Sequence, residues 1–285
     1  MRIFVTGANG QVGREIARVV PRERLYLATH GSDDVSDDRI VKTIQRERPD
    51  VVIHAAALTD VDACEREPER ANRINDLGTR LVATGAAHAG AYLIALSTDY
   101  VFDGTKGAPY VESDVPAPIS VYGATKLAGE RAALLESNHA CVVRTAWVFG
   151  EGRRHFITMV MERIRQGEIV RGVVDRLGSP TYTRDLVAVL LKLAELKPTG
   201  VLHVAGAGAC NWYQYAEAIY DMVDGARRLE PIAFAELERP ARRPANSALA
   251  SERLAGLGIS MRSWREMVQD YLGTHEHVGQ RSVTT

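Results

Sequence analysis

Tyr122 and Lys126 stand four residues apart in Val121-Tyr122-Gly123-Ala124-Thr125-Lys126. That spacing is about one helical turn, so in a helix both side chains leave the same face. An ammonium beside a phenol favours the phenolate, lowers a pKa that otherwise lies near ~10, and lets the tyrosine trade a proton near neutrality. Alone, the spacing also fits an amphipathic helix with a lysine reaching along its stem to solvent. Two further stretches, in chain order, turn the reading toward chemistry: Gly7-Ala8-Asn9-Gly10-Gln11-Val12-Gly13 and Ser97-Thr98-Asp99. A hydroxyl at Thr98 can hydrogen-bond a substrate carbonyl; a threonine that merely caps a turn is the rival reading.

These residues need strands and helices to hold them. Residues 2–6 are a short β-rich run, broken by the glycines and followed by a helical pattern that Pro21 closes. Glycines at 7, 10 and 13 let the backbone turn tightly and approach a pyrophosphate, while the helix N-terminus offers free N–H groups to the anion. At the first strand of a β-α-β pattern this predicts dinucleotide binding by Gly7, Gly10, Gln11, Val12 and Gly13, against the rival of a ligand-free glycine turn. A second strand over 24–29 ends at Thr29-His30-Gly31-Ser32, with no acid for a ribose 2′-hydroxyl. NADPH is therefore expected, and NADH is admitted because no arginine marks the pocket either. Asp34 and Val35 can face the adenine, although Ser36 and the acids are equally suited to cap a helix beginning near Asp37.

Residues 50–54 are a continuous apolar run of parallel-strand type. The small residues after it permit close approach of a flat ligand, which adds Ala56, Ala57, Leu58 and Thr59 to the cofactor-binding set. A helix is predicted from Pro68 and a fourth strand over 92–97. Pro118 is expected to open the helix of Tyr122, and a fifth strand over 141–145 leads to Trp147, which stacks on a substrate ring or roofs the core. From about residue 151 the pattern loosens into helices with short strands between. Arg239, Arg242 and Arg243 lie in a proline-stiffened loop that reads as a solvated segment or as a clamp for a diphosphate.

The fold class that follows is α/β: a Rossmann-type doubly wound parallel sheet with a smaller α/β substrate-binding lobe. We expect a dinucleotide-binding domain over 1–150, joined by later segments near 182–206, a lobe over 151–273, and a flexible tail over 274–285. The 285 residues, 46% hydrophobic, are ample for a large core. A net charge of -1 and a pI near 6.7 leave no footprint for duplex nucleic acid or an acidic membrane surface. Three scattered cysteines suggest neither a disulfide framework nor a zinc site. With no apolar run near the ~20 residues of a membrane span and no leader pattern, a soluble, cytoplasmic protein is expected.

In combination the motifs resemble the extended short-chain dehydrogenase/reductases, and within them the dTDP-4-dehydrorhamnose reductase family. The resemblance runs from Met1 to about Leu272. It is carried by Gly7-x-x-Gly10-Gln11-x-Gly13, Ala55-Ala56-Ala57 with Val61-Asp62, and Asn75 with Gly78. It continues in residues 97–104, in Tyr122 to Glu130, in residues 144–150, in Gly178-Ser179-Pro180-Thr181 and in Arg243-Pro244-Ala245-Asn246-Ser247. It implies NADPH- or NADH-dependent reduction of the 4-keto group of a dTDP-6-deoxy-4-ketohexose. Tyr122 would be the proton donor, Lys126 the residue that holds the nicotinamide ribose, and Thr98 the group that polarises the carbonyl. Asp99, Tyr100 and Trp147 would border the sugar, Asn75 would shape its helix, and Arg243 and Asn246 would lie near the diphosphate.

There are departures. His54 stands where the group usually has asparagine. Some relatives join subunits through magnesium held by glutamates; Glu15 fits one such position, but Arg184 occupies another, so no metal is expected and a homodimer stays open. Tyr100 follows Thr98-Asp99 where a 4,6-dehydratase has glutamate, which disfavours dehydration. A ketoreductase for another nucleotide-linked deoxysugar and a non-catalytic regulatory subunit, like one found with methionine adenosyltransferase, are the alternatives.

Overall fold

A strand with no polar face has to be covered on both sides, and Ile3–Thr6 (β1) is buried along its whole length. Residues 1–223 and 226–279, described by a computed structural model, are organised around it. The chain continues through α1 (Gln11–Val19), β2 (Leu25–Ala28), α2 (Arg39–Glu47) and β3 (Val51–His54). Two short helices, α3 (Val61–Arg66) and α4 (Pro68–Asn72), pass through a π-helical turn at Arg73–Leu77 into α5 (Gly78–Ala89). Then come β4 (Tyr92–Thr98), α6 (Val121–Glu136) and β5 (Ala140–Thr145). The second half supplies β6 (Val148–Phe149), α7 (Phe156–Gln166), β7 (Val170–Val173), β8 (Leu177–Gly178) and β9 (Thr181–Tyr182). It goes on through α8 (Thr183–Leu196), β10 (Gly200–His203), β11 (Cys210–Asn211), α9 (Trp212–Met222), β12 (Leu229–Ile232), α10 (Arg253–Gly256) and α11 (Trp264–Gly279).

The main sheet has six parallel strands in the order β10-β5-β4-β3-β1-β2. β1 lies between β2 and β3, so the chain winds away from it in both directions and leaves a crevice at the carboxyl ends of the strands. Each face is covered. Ile3, Val5 and Ile53 pack with Ile16, Leu186 and Leu190 on one side, and Phe4, Val52 and Leu93 pack with Ile40, Ile44 and Val82 on the other. A third core, with Phe149, Ile157, Tyr215, Ile219 and Met267, fills the smaller lobe. The architecture is the doubly wound α/β arrangement with a lobe that the sequence predicts. Among the described residues no helix is long and apolar enough to cross a membrane.

Two boundaries differ from expectation. Pro118 lies outside α6, which begins at Val121 because Ser120 Oγ accepts the Gly123 N–H at 3.1 Å and fixes the first turn. Of the tail expected over 274–285, residues 274–279 are helical, since α11 runs to Gly279; residues 280–285 lie outside the described residues. From the late segment, β10 pairs with β5 in the main sheet, from Gly200 against Cys141 to His203 against Arg144.

Candidate active site

The crevice encloses about 900 Å³. Its floor is the glycine turn between β1 and α1. Gly7 has φ +70, and a Cβ there would sit 2.7 Å from Ala56 N; a Cβ on Gly13 would sit 2.5 Å from Gly7 O. Turn, helix and third strand are thus packed so closely that only hydrogen fits. Gly10 caps α1 without a side chain, which leaves the first N–H groups directed at the crevice, as an anion requires. Gln11 reaches across to donate from Nε2 to Gly150 O at 3.1 Å.

All the residues expected to bind cofactor line this one space: Gly7, Gly10, Gln11, Val12, Gly13, Asp34, Val35, Ala56, Ala57, Leu58, Thr59, Tyr122 and Lys126. At the β2 end Asp34 accepts from the N–H and hydroxyl of Ser36 at 2.9 and 2.8 Å and pairs with His30 at 3.2 Å. Burial acts against its charge, and the two Ser36 hydrogen bonds outweigh burial to hold the carboxyl below its ordinary value. Ser36 therefore fixes Asp34 and does not cap α2, which begins at Arg39.

At the other end Thr98, Asp99, Tyr122, Lys126 and Trp147 face the crevice. The expectation that Lys126 lowers the Tyr122 pKa is overturned. Burial pushes the phenol well above its ordinary value; hydrogen bonding with Thr98 opposes this, and the Asp99 charge adds to it. Lys126 Nζ donates to Leu96 O at 2.8 Å, and burial lowers its own pKa to about 8, with Glu130 acting in the other direction. In a low-dielectric site the cost of a phenolate dominates.

Thr98 Oγ1 accepts the Tyr100 N–H at 3.2 Å and donates to Asp99 Oδ1 at 3.0 Å. Asp99 Oδ2 accepts from Ser247 Oγ at 2.5 Å. Burial raises the Asp99 carboxyl to about 7 against the pull of the Ser247 and Thr98 hydrogen bonds. Tyr100 packs edge-on against the Tyr122 ring, centroids 5.7 Å apart, but is not part of the crevice lining. Trp147 has φ +41, a conformation that bulky residues rarely adopt, and stacks on Trp212 at 3.7 Å. It both lines the crevice and closes the lobe core beneath.

Arg243 and Asn246, expected near a diphosphate, lie outside this lining. Asp62 is buried and needs a cation, and Arg243 grips it with two hydrogen bonds of 3.0 Å while stacking over Phe234. Asn246 Nδ2 donates to the carbonyls of Lys106 and Ala108 at 2.9 and 3.2 Å. Both side chains pin loops together. Glu15 is held in a fork by Arg18, and Arg184 pairs with Asp270 at 3.3 Å.

Behind the crevice a polar chain ties the loop after β3 to α6. Asn75, in the π-helical turn, accepts from Leu58 N at 2.9 Å and donates to Leu58 O and Thr125 Oγ1 at 3.2 Å each. Thr79 donates to Asn75 O at 2.7 Å, so His54 Nε2 must donate to Thr79, leaving Nδ1 to accept from Thr6 at 2.7 Å. His54 is thus neutral, its pKa lowered to about 3 by burial and by the Lys126 charge. On the opposite side of β4, Arg144 forks onto Glu130 at 2.8 and 2.7 Å, and Ser97 donates to the same carboxylate.

Asn9, Arg14, Thr29, His30, Arg70, Arg73 and Arg153 also line the crevice and escape the sequence reading as site residues. With 35 lysines and arginines in the chain, charge alone selects none of them. Their one signal is adjacency: Arg14 follows the glycine turn, and Arg153 follows the stretch that leaves β5.

Residues 1–276 match the family model described as RmlD substrate binding domain. The dTDP-4-dehydrorhamnose reductase of Mycolicibacterium smegmatis is 40% identical over 277 residues, covering 94% of this chain and 84% of that one. A Streptomyces antibioticus protein named "Probable dTDP-4,6-dihydroxy-2-methyloxan-3-one 4-ketoreductase" is 37% identical over 277 residues, 95% of this chain and 94% of its own. The crystal structure of dTDP-4-dehydrorhamnose reductase from Bacillus anthracis in complex with NADP aligns with a TM-score of 0.92 and 34% identity, over 95% of this chain and 98% of that one.

Proposed function

The chain belongs to the RmlD substrate binding domain family, and on that premise we propose that it reduces the 4-keto group of a dTDP-6-deoxy-4-ketohexose with NADPH, converting dTDP-4-dehydro-L-rhamnose to dTDP-L-rhamnose. The protein is an NADPH-dependent oxidoreductase. The observation that carries the site assignment is the meeting of Tyr122 and Thr98 with the glycine turn in a single crevice.

The residues fit the dinucleotide: close packing at Gly7 and Gly13 shapes the tight turn on the crevice floor, and the first N–H groups of α1, left without a side-chain cap, would hold a pyrophosphate. Reduced nicotinamide, when bound, supplies the hydride. Thr29 and His30, with no acid at the end of β2, suit a ribose that carries a 2′-phosphate, and NADH is the second choice. Lys126, which lines the same crevice, would hold the nicotinamide ribose. Tyr122, kept as a neutral phenol by burial, gives its proton to the C4 oxygen, so the raised pKa suits the reductive direction. Thr98 orients that oxygen, and Asp99 and Trp147 border the sugar. We also propose a division into a dinucleotide-binding domain over 1–150, joined by β10, and a lobe over 151–273. A cytoplasmic setting is supported by three buried, unpaired cysteines.

Incubation of the purified protein with dTDP-4-keto-6-deoxysugars and each reduced nicotinamide, with NMR of the product, tests this reading. A rhamnose-configured product is expected, with NADPH preferred; no reduction of any such sugar would reject it. The Streptomyces antibioticus relative favours a second reading, a different deoxysugar, which the same product spectrum identifies.

A further inference from the structure

β1 and β3 lie side by side, and their last residues, Thr6 and His54, are partners in the register. His54 is buried, and each of its ring nitrogens meets one threonine hydroxyl, Nδ1 accepting from Thr6 and Nε2 donating to Thr79. The two arms lead to different places. On the Nδ1 side, Thr6 Oγ1 also accepts the Ala56 N–H at 3.3 Å, and Ala56 N is the atom that a Cβ on Gly7 would meet at 2.7 Å. This arm therefore ends under the glycine turn. On the Nε2 side, Thr79 Oγ1 and Asn75 O form the seat of α6: a Cβ on Gly129 would collide with Asn75 O and lie 3.0 Å from Thr79 Oγ1. Gly129 follows Lys126 by three residues and Tyr122 by seven, which puts all three on one side of α6. Asn75 also reaches Thr125, whose hydroxyl donates to Tyr122 O at 3.0 Å.

We propose that His54 is a positioning residue with two separable tasks: through Nδ1 it sets the loop beneath the glycine turn, and through Nε2 it sets the seat of the helix that carries Tyr122 and Lys126. The catalytic half of the inference rests on the reductase reading above, and the other half on cofactor binding alone. Imidazole suits the place because a rigid ring holds one acceptor and one donor at a fixed separation, which is what two hydroxyls on different elements require. An asparagine carbonyl can stand where Nδ1 stands, but its amide falls short of Thr79. A glutamine amide reaches the Nε2 position and leaves the Thr6 hydroxyl without its acceptor. His54 moves no proton in this role, since both of its nitrogens stay committed to the threonines. Its contribution is geometric, and each arm can be cut without the other.

The test reads NADPH affinity and turnover separately in the full-length protein. His54→Asn keeps the Thr6 arm and gives up the Thr79 arm, so kcat should fall about 5-fold while the Kd for NADPH and the substrate KM stay within about 2-fold. His54→Gln does the reverse: the Kd for NADPH should rise about 5-fold while kcat at saturating NADPH stays within about 2-fold. Thr6→Val should reproduce the His54→Gln pattern and cause no further loss of affinity when the two are combined. Kd and kcat that move together in both His54 variants, or a lower melting temperature with neither moved, would overturn the proposal and leave His54 a packing residue. Amide hydrogen exchange over residues 121–129 needs no sugar: faster exchange in His54→Asn than in His54→Gln supports the assignment, and equal exchange overturns it. If the wild type reduces no keto sugar, the reductase reading fails, and the Kd and exchange measurements decide for or against His54 by themselves.

Discussion

Glu130 and Asp99 are both buried, 4% and 3% exposed, and each takes a hydroxyl from the end of β4. Ser97 and Thr98 are consecutive strand residues, so they point to opposite faces and serve different carboxylates. On α6, Glu130 receives Arg144 of β5 as a bidentate fork, with guanidinium and carboxylate each 4% exposed. At the crevice Asp99 receives only neutral donors. A buried carboxylate matched by a guanidinium becomes a fixed structural joint, whereas one matched by hydroxyls remains free to change protonation.

The strongest way to break the contrast is Arg144→Met. It strands the Glu130 charge in the core and should cost about 3–5 kcal/mol, read from urea unfolding. Adding Glu130→Gln should recover most of that loss, and a cost below about 1 kcal/mol for the single change would remove the distinction between the two sites.

Asp99 gives the next largest effect, and it depends on pH. Its folded pKa of about 7 lies above the ordinary 3.8, so its contribution to stability is fully present below 3.8 and is lost as pH rises through 7. Between pH 4 and 8 the wild type should lose up to about 4 kcal/mol relative to Asp99→Asn. Parallel unfolding curves for the two proteins across that range would contradict a raised carboxyl pKa at Asp99.

Ser247→Ala should cost about 1 kcal/mol and displace this pH-dependent loss to higher pH, because the hydroxyl favours the ionised carboxyl. Differential scanning calorimetry at several pH values measures both. Smallest of all, Arg243→Lys gives up the fork on Asp62, costing about 0.5–1 kcal/mol, and should leave the Kd for NADPH and the substrate KM unchanged. A raised KM would return Arg243 to the substrate side.

Much of the scaffold is legible along the chain because its signals are local. The unbroken apolar run at residues 3–5, the glycines that follow and the four-residue step from Tyr122 to Lys126 depend on neighbours within a few positions. From them the order of strands and helices, the crevice above the glycine turn and the placing of a phenol and a lysine on one helix could be read directly. Boundaries set by side chains were less visible: Ser120 rather than Pro118 starts α6 because a hydroxyl, and not a ring, satisfies the Gly123 N–H.

What the chain order cannot carry is burial and the identity of distant partners. Arg243 looks like a free clamp until folding brings Asp62 to it, and Ser247 has no role until it reaches Asp99 across 148 positions. The direction of the Tyr122 pKa reversed for the same reason. A four-residue spacing tells which charge lies nearby on the helix, but the cost of a phenolate depends on how much water the surrounding elements exclude, and only the folded arrangement fixes that.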